Sequence, residues 1–257
     1  MQKCILIRTY RDEDKLFCKK LLEASVMNQL NHTYIGFLLG LNIMRIVNIL
    51  SIVLMSLLMY TGIHKIYCII VIFIPEIILY ISLYAKFLYE ARIVGNEADE
   101  ISRICTPSNS SRFWIAEAYE DLSVNNQEQD QPYIFMTQEK LNECNIDISQ
   151  YNKKIVGIMS VCKSNWEPTV AWIKRLYVQK KYRRKGIGRQ FINRAIHFAE
   201  EYRFECVKAI INEFQKVVIH FFNAKNFTLK IIRDQSYLMT IMMYEYTYLT
   251  RHSNQIS

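Results

Sequence analysis

Between Arg183 and Phe191 the chain reads RRKGIGRQF. Two glycines, two residues apart, sit among four cations (Arg183, Arg184, Lys185 and Arg189) and lead straight into an apolar helical pattern. A helix start carries unpaired backbone N–H groups and the positive end of the helix dipole. Glycine removes the side chain that would keep an anion away from those groups. The chemistry this spacing can perform is phosphate binding: amides from Arg184 to Arg189, through Lys185, Gly186, Ile187 and Gly188, form a cradle with the cations as countercharge. The spacing is neither that of a Walker loop nor that of a dinucleotide fingerprint. Lys174, Arg175, Lys180, Lys181, Arg183, Arg184, Lys185, Arg189 and Arg194 are cations, and no carboxylate falls among them.

The elements that must hold this loop are legible around it. VAWIKRLYV (Val170–Val178) reads as a strand just before the loop. After Gly188 a helix places Phe191, Ile192, Ala195, Phe198 and Ala199 on one face. RFWIAEAYE is a further strand, with Phe113, Ile115 and Glu117 on one side and Trp114, Ala116 and Ala118 on the other. IVGIMSV and CVKAIIN are strands, EFQKVVIHFFNAK is a helix, and FTLKII and YLMTIMMYEYTYL close the chain as strands. At the N-terminus a short strand at CILIRTY precedes a helix running to about Asn28, with Leu16, Phe17, Leu21 and Leu22 as its apolar stripe. Residues 120–152 are polar, without regular pattern, and read as an exposed insertion.

Composition breaks at residue 35. Ile46–Ile63 carries no charge, and Ile66–Tyr84 carries only Glu76, one residue after Pro75. About 20 apolar residues span a bilayer's hydrocarbon core. Two such runs joined by His64 and Lys65 predict a helical membrane hairpin over 35–92, with a re-entrant or interfacial pair as the alternative geometry. Arg45, Lys86 and Arg92 at its outer ends point to a cytosolic location for them. The expected organisation is residues 1–34 as the first strand and helix of the main fold, the hairpin at 35–92, and the main domain at 93–257.

The net charge of +8 calls for an acidic partner. No regularly spaced aromatics accompany the basic patch, so nucleic acid is not the expected one. Seven cysteines without a CxxC pair argue against a disulfide framework or zinc site, and the five histidines show no ligand spacing, so no metal is expected. Sequons at Asn31 and Asn109 stay unmodified on a cytosolic chain.

The segment VAWIKRLYVQKKYRRKGIGRQFINRAIHFAEE resembles the acyl-CoA segment of the GNAT acetyltransferase superfamily, whose signature [QR]-x-x-G-x-[GA] is matched by Arg183, Gly186 and Gly188. FWIAE, IVG, KRLYV and FFNAKNF fall in the expected order. With the apolar hairpin, the chain is similar to the camello-like, membrane-anchored N-acetyltransferases, most strongly from Phe113 to Phe227. The resemblance implies an α/β fold: a mixed sheet, flanked by helices, that splays open after the KRLYV strand. The thiol arm of acetyl-CoA then pairs with backbone near Leu176, Tyr177 and Val178, and the pyrophosphate rests on the cradle. The implied reaction is direct attack of an amine on the thioester, with an oxyanion donor at Tyr177 or Val178.

The sequence departs from the family at the proton transfers. Phe222 stands where many relatives carry a tyrosine that protonates the leaving thiolate, and Asn226 replaces a glycine. No carboxylate lies on Val170–Val178, leaving Glu117, Glu213 and His220 as acid–base candidates by position. A thiolate with a pKa of about 8.5 can leave without a dedicated acid. Two functions follow. One is a membrane-anchored N-acetyltransferase with acetyl-CoA as cosubstrate and an amine of a protein or small amphiphile as acceptor, held at a lipid bilayer such as the endoplasmic reticulum or another internal membrane, catalytic part in the cytosol. The alternative is a catalytically weak acyl-CoA-binding membrane interaction module.

Overall fold

The computed structural model describes residues 3–40, 42–62, 64–104, 110–121, 133–136, 151–164, 166–236 and 239–250. The chain begins with β1 (Cys4–Thr9), α1 (Lys15–Met27), α2 (Leu30–Gly40), α3 (Asn42–Tyr60), α4 (Lys65–Asn96) and the single turn α5 (Ile101–Ile104). It continues through β2 (Arg112–Asp121), β3 (Ile134–Met136), β4 (Tyr151–Lys163), β5 (Val170–Val178), α6 (Ile187–Glu201) and β6 (Cys206–Asn212). The last elements are α7 (Lys216–Asn223), β7 (Thr228–Ser236) and β8 (Met239–Leu249).

The strands form one mixed sheet in the order β3-β1-β2-β4-β5-β6-β8-β7. Alternation along β2 divides its side chains between two cores. Trp114, Ala116 and Ala118 pack with Phe191, Ile192, Ala195 and Phe198 of α6 on one face. Phe113 and Ile115 pack on the other face with Leu21, Leu22 and Val26 of α1 and with Leu83, Phe87, Ala91 and Val94 of α4. Each buried apolar side chain of this size contributes about 1.5–3 kcal/mol, so the two layers hold the sheet from both sides.

The sheet opens in the middle. β5 and β6 are parallel neighbours only from Val170, Ala171 and Trp172 to Cys206, Val207 and Lys208, although both strands run on past that point. The divergence coincides with a bulge. Opposite β4, the register of β5 shifts between Ile158 and Ser160, and Arg175 takes a positive φ of 56°. A left-handed non-glycine residue inside a strand costs roughly 1–3 kcal/mol and persists only when its surroundings enforce it. The Arg175 guanidinium is held by Glu97 at the end of α4, with Nε 2.8 Å from Oε2.

Three features differ from the sequence expectations. Leu16 and Phe17 are exposed, and the buried stripe of α1 is Cys18, Leu21, Leu22 and Val26. A 3-10 turn at Asp12–Asp14 leads into α1. The polar insertion is not structureless throughout, because Ile134–Met136 joins the sheet edge parallel to β1. Residues 122–132 and 137–150 of it lie outside the described residues, as does the Asn109 sequon. Lastly, α4 is continuous across residue 92. Ile70, Ile77, Ile78 and Ile81 face outward, while Leu83, Phe87, Ala91 and Val94 further along pack into the core shared with α1. The segment Lys65–Asp99 is long and apolar enough to cross a membrane by length and composition, and α3 follows α2 after a 69° bend. At 1.5 Å per residue α4 is about 48 Å long, so it exceeds a hydrocarbon core of about 30 Å.

Candidate active site

The basic loop leads directly into the start of α6. Gly186 caps α6 with a φ of 88°, a conformation that a Cβ penalises by about 1–2 kcal/mol. A Cβ there would also lie 3.1 Å from the ring of Phe135. Arg184 takes a left-handed turn as well, with φ 62°. The first helical hydrogen bond runs from Gln190 N–H to Gly186 O at 3.1 Å. The N–H groups of Ile187, Gly188 and Arg189 precede it. Among the described residues, no backbone carbonyl accepts from them or from the amides of Arg184 and Gly186. These groups and the helix dipole fit a diphosphate.

The cations divide into two kinds. Arg184 and Arg189 are exposed at the mouth. Arg183 folds back, its Nε donating to Val178 O at 2.9 Å, so it staples the loop to the end of β5. Lys185 lies with Nζ 4.3 Å from the ring centre of Tyr133. Tyr133 in turn donates to Glu120 at 2.6 Å. The insertion strand β3 thus buttresses the loop through Tyr133 and Phe135, two residues the sequence pattern did not single out. Their only signal was an apolar YIF inside a polar stretch.

Leu176, Tyr177 and Val178 lie on β5 beyond its parting from β6. Leu176 and Val178 pack toward α6, and Tyr177 toward α1 and α4. Gln179 N–H donates to Val156 O at 2.8 Å, across to β4. Backbone N–H groups alternate between strand edges, so Val178 N–H faces the edge that β6 has left. Of the two expected oxyanion donors, Val178 is the one on the open side.

On the α1/α4 face, next to the bulge, is a cavity of about 380 Å³. Its wall includes Phe37, Leu83, Phe87 and Phe214, and its polar lining includes Thr33, Glu90, Arg175 and Asn212. The backbone of α2 closes one side by approaching the Phe214 ring so tightly that a Cβ on Gly36 would fall 2.2 Å from it. Thr33 Oγ1 and Asn212 Oδ1 are buried with no hydrogen-bond partner among the described residues. Pockets of this size and mixed lining suit a small organic ligand.

None of the three expected acid–base residues lines this cavity. Glu117 is fully buried and saturated. It accepts from Arg8 Nε at 3.1 Å, from Tyr119 Oη at 2.8 Å, and pairs with Lys153 at 3.0 Å. Arg8 also makes two bonds of 2.7 and 2.8 Å to Asp14. Burial by itself raises the Glu117 carboxyl, but the bonds from Arg8, Tyr119 and Lys153 outweigh it and hold the group below its ordinary value. A carboxylate so held is a poor proton acceptor and a good girder between β1, β2 and the turn before α1. Glu213 accepts from Met242 N–H at 2.9 Å and ties the end of β6 to β8. His220 is exposed on α7. Phe222 is buried, stacked on Tyr246 with ring centres 5.2 Å apart.

Residues 110–227 match the family model described as the Acetyltransferase (GNAT) family. No curated protein matches the sequence. Among solved structures, a GNAT-family acetyltransferase from Staphylococcus aureus Mu50 is 14% identical, with 59% of this chain and 76% of that one covered and a TM-score of 0.37. A putative streptothricin acetyltransferase from Bacillus anthracis str. Ames, solved with acetyl coenzyme A, is 14% identical over 57% of this chain and 66% of its own, with a TM-score of 0.39. Arabidopsis thaliana NAA60, solved with a bisubstrate analogue, is 12% identical over 62% of this chain and 84% of its own, with a TM-score of 0.41. Likenesses this distant say nothing about substrate. Residues 110–227 thus match the GNAT acetyltransferase family model, and the mixed, splayed sheet flanked by helices is a GNAT-type fold.

Proposed function

We propose that the chain is a membrane-anchored N-acetyltransferase of the camello-like kind, moving the acetyl group of acetyl-CoA to an amine held near a lipid bilayer. One observation carries the reading: the amides of Ile187, Gly188 and Arg189, from which no backbone carbonyl among the described residues accepts, stand beside a strand whose partner has pulled away. A coenzyme with a diphosphate and an extended, amide-bearing arm uses both features at once. The loop from Arg184 to Arg189 would take the diphosphate, and the freed edge of β5 would take the arm. Val178 N–H is then the donor for the oxyanion. The amine attacks as the neutral base, forming a C–N bond while the C–S bond breaks, and the thiolate leaves to be protonated by solvent. Phe222, which has no proton to give, is compatible with that last step.

Anchoring rests on the outward apolar residues of α3 and α4 and on the length of α4. An internal membrane such as the endoplasmic reticulum, with the domain on the cytosolic side, fits the cations at the hairpin's outer ends. The test is incubation of the detergent-solubilised full chain with labelled acetyl-CoA and a panel of amines. The expected result is label on at least one amine at a rate well above the blank. Acetyl-CoA binding without transfer to any amine supports the second reading that the buried Phe222 favours, an acyl-CoA-binding interaction module, and rejects the enzyme. Absence of both binding and transfer rejects both.

A further inference from the structure

We propose that Glu90 on α4, the far arm of the apolar hairpin, is the carboxylate that receives the acceptor's ammonium, and that the acceptor is a primary amine on an apolar chain or ring. The inference rests on the acetyltransferase reading above and adds the identity of the acceptor site. The cavity beside the Arg175 bulge contains one carboxylate among the described residues, and it is Glu90. Lys86, which lines the same cavity, has its Nζ 3.8 Å from Glu90 Oε1. That is well beyond the 2.7–2.9 Å of a charge-assisted hydrogen bond, so an incoming ammonium can displace Lys86 at little cost. Thr33 and Asn212 also line the cavity, and Thr33 Oγ1 and Asn212 Oδ1 have no hydrogen-bond partner among the described residues. A bound amine or amide supplies the donor that each acceptor oxygen lacks.

The remaining wall defines the rest of the ligand. Leu83 and Phe87 sit one turn apart on the stretch of α4 that leads to Glu90, and Phe37 closes from α2. Continuing along the same face of α4 away from Glu90, Leu79 extends the apolar wall toward the hairpin. An amphiphile therefore places its head at Glu90 and its body against aromatic and aliphatic side chains that continue into the hairpin. A flexible lysine on a folded protein offers no comparable apolar body. In the reaction the ammonium passes one proton to Glu90. The neutral nitrogen forms the C–N bond, the C–S bond breaks, and the second nitrogen proton reaches the thiolate through solvent. Glu90 then returns its proton to bulk water.

The experiment compares propylamine with octylamine as acceptors for the full chain in detergent, and measures acetyl-CoA affinity calorimetrically on each variant. The wild type is expected to show at least tenfold higher kcat/KM for octylamine. Glu90→Gln is expected to lose at least thirtyfold in kcat/KM on octylamine, with acetyl-CoA affinity within twofold of wild type, and Glu90→Asp to recover part of the loss. Leu83→Ser is expected to lower the octylamine-to-propylamine ratio in kcat/KM. No preference for octylamine, or Glu90→Gln within threefold of wild type, overturns this assignment and leaves the coenzyme site standing. A wild type that binds no acetyl-CoA overturns the acetyltransferase reading, and this one with it.

Discussion

The two sides of the β5/β6 opening are made in different ways. The side proposed for the coenzyme is contiguous: one strand, one loop and one helix start within Val170–Arg189 supply the bulge, the amides and the cations. The cavity side is assembled from segments as far apart as Val26 and Met243, with α1, α2, α4, β5, β6 and β8 each giving residues. A ligand common to many enzymes can be held by a short stretch with fixed backbone geometry. A ligand that differs between enzymes is held by side chains that converge only after folding.

Three substitutions break or sharpen that contrast. The largest effect is expected at Glu117, which looks catalytic by position and structural by contact. Glu117→Gln should lower unfolding free energy by about 3 kcal/mol, within the range for breaking a buried ion pair, as read by denaturant titration. Turnover per folded molecule should stay near wild type. The reverse pattern, lost turnover at full stability, would move the base back to β2. The same group sets an acid limb. Its folded carboxyl lies below the ordinary value of 4.5, as Asp14 lies below 3.8. The unfolded chain therefore binds more protons, so the stability these groups give is complete above about pH 5 and fades as pH falls below about 4.5. Glu117→Gln should flatten that limb in a pH series of thermal melts.

Phe222→Tyr comes next. Restoring the hydroxyl that relatives carry puts it in a ring cluster with Phe227 and Tyr246. Overpacking of such a site costs typically about 1–3 kcal/mol, and kcat should rise less than threefold. A tenfold rise would show that the thiolate does need an acid. The smallest change in stability is expected for Asn212→Leu. Removing an unpartnered buried oxygen should leave the protein as stable as wild type or firmer by about 1 kcal/mol. Amine turnover should nevertheless fall while acetyl-CoA affinity holds. If affinity and turnover fall together, the cavity and the cradle are one site.

Why one side was legible and the other was not follows from the same contrast. Gly186 and Gly188 declare their backbone role in the sequence, and the alternation of Phe113 to Ala118 declares two buried faces. Periods of two and 3.6 residues are local quantities that survive without knowledge of the rest of the chain. Arg175 gives no such warning. Its left-handed turn is imposed by register against β4 and by Glu97, 78 residues away in the chain. Glu90 reads as one more charge at the edge of an apolar helix until α4 is laid against α1. Glu117 misled in the opposite sense, since an isolated carboxylate on an apolar strand suggests chemistry until Arg8, Tyr119 and Lys153 are seen around it. Phe135 touches the cradle only because three residues of a polar insertion return to pair with β1.

The most direct measurement is a calorimetric titration of acetyl-CoA into the full chain and into Gly186→Glu, with circular dichroism confirming that both are folded. At Gly186 the change brings a Cβ into a backbone of φ 88° beside Phe135, and a negative charge into the amide cradle. The wild type should bind with a Kd of roughly 1–100 μM, the scale of ordinary enzyme substrates. The variant should give no measurable heat at tenfold higher ligand. Equal affinity in the two proteins would mean that the amides ahead of Gln190 do not hold the coenzyme.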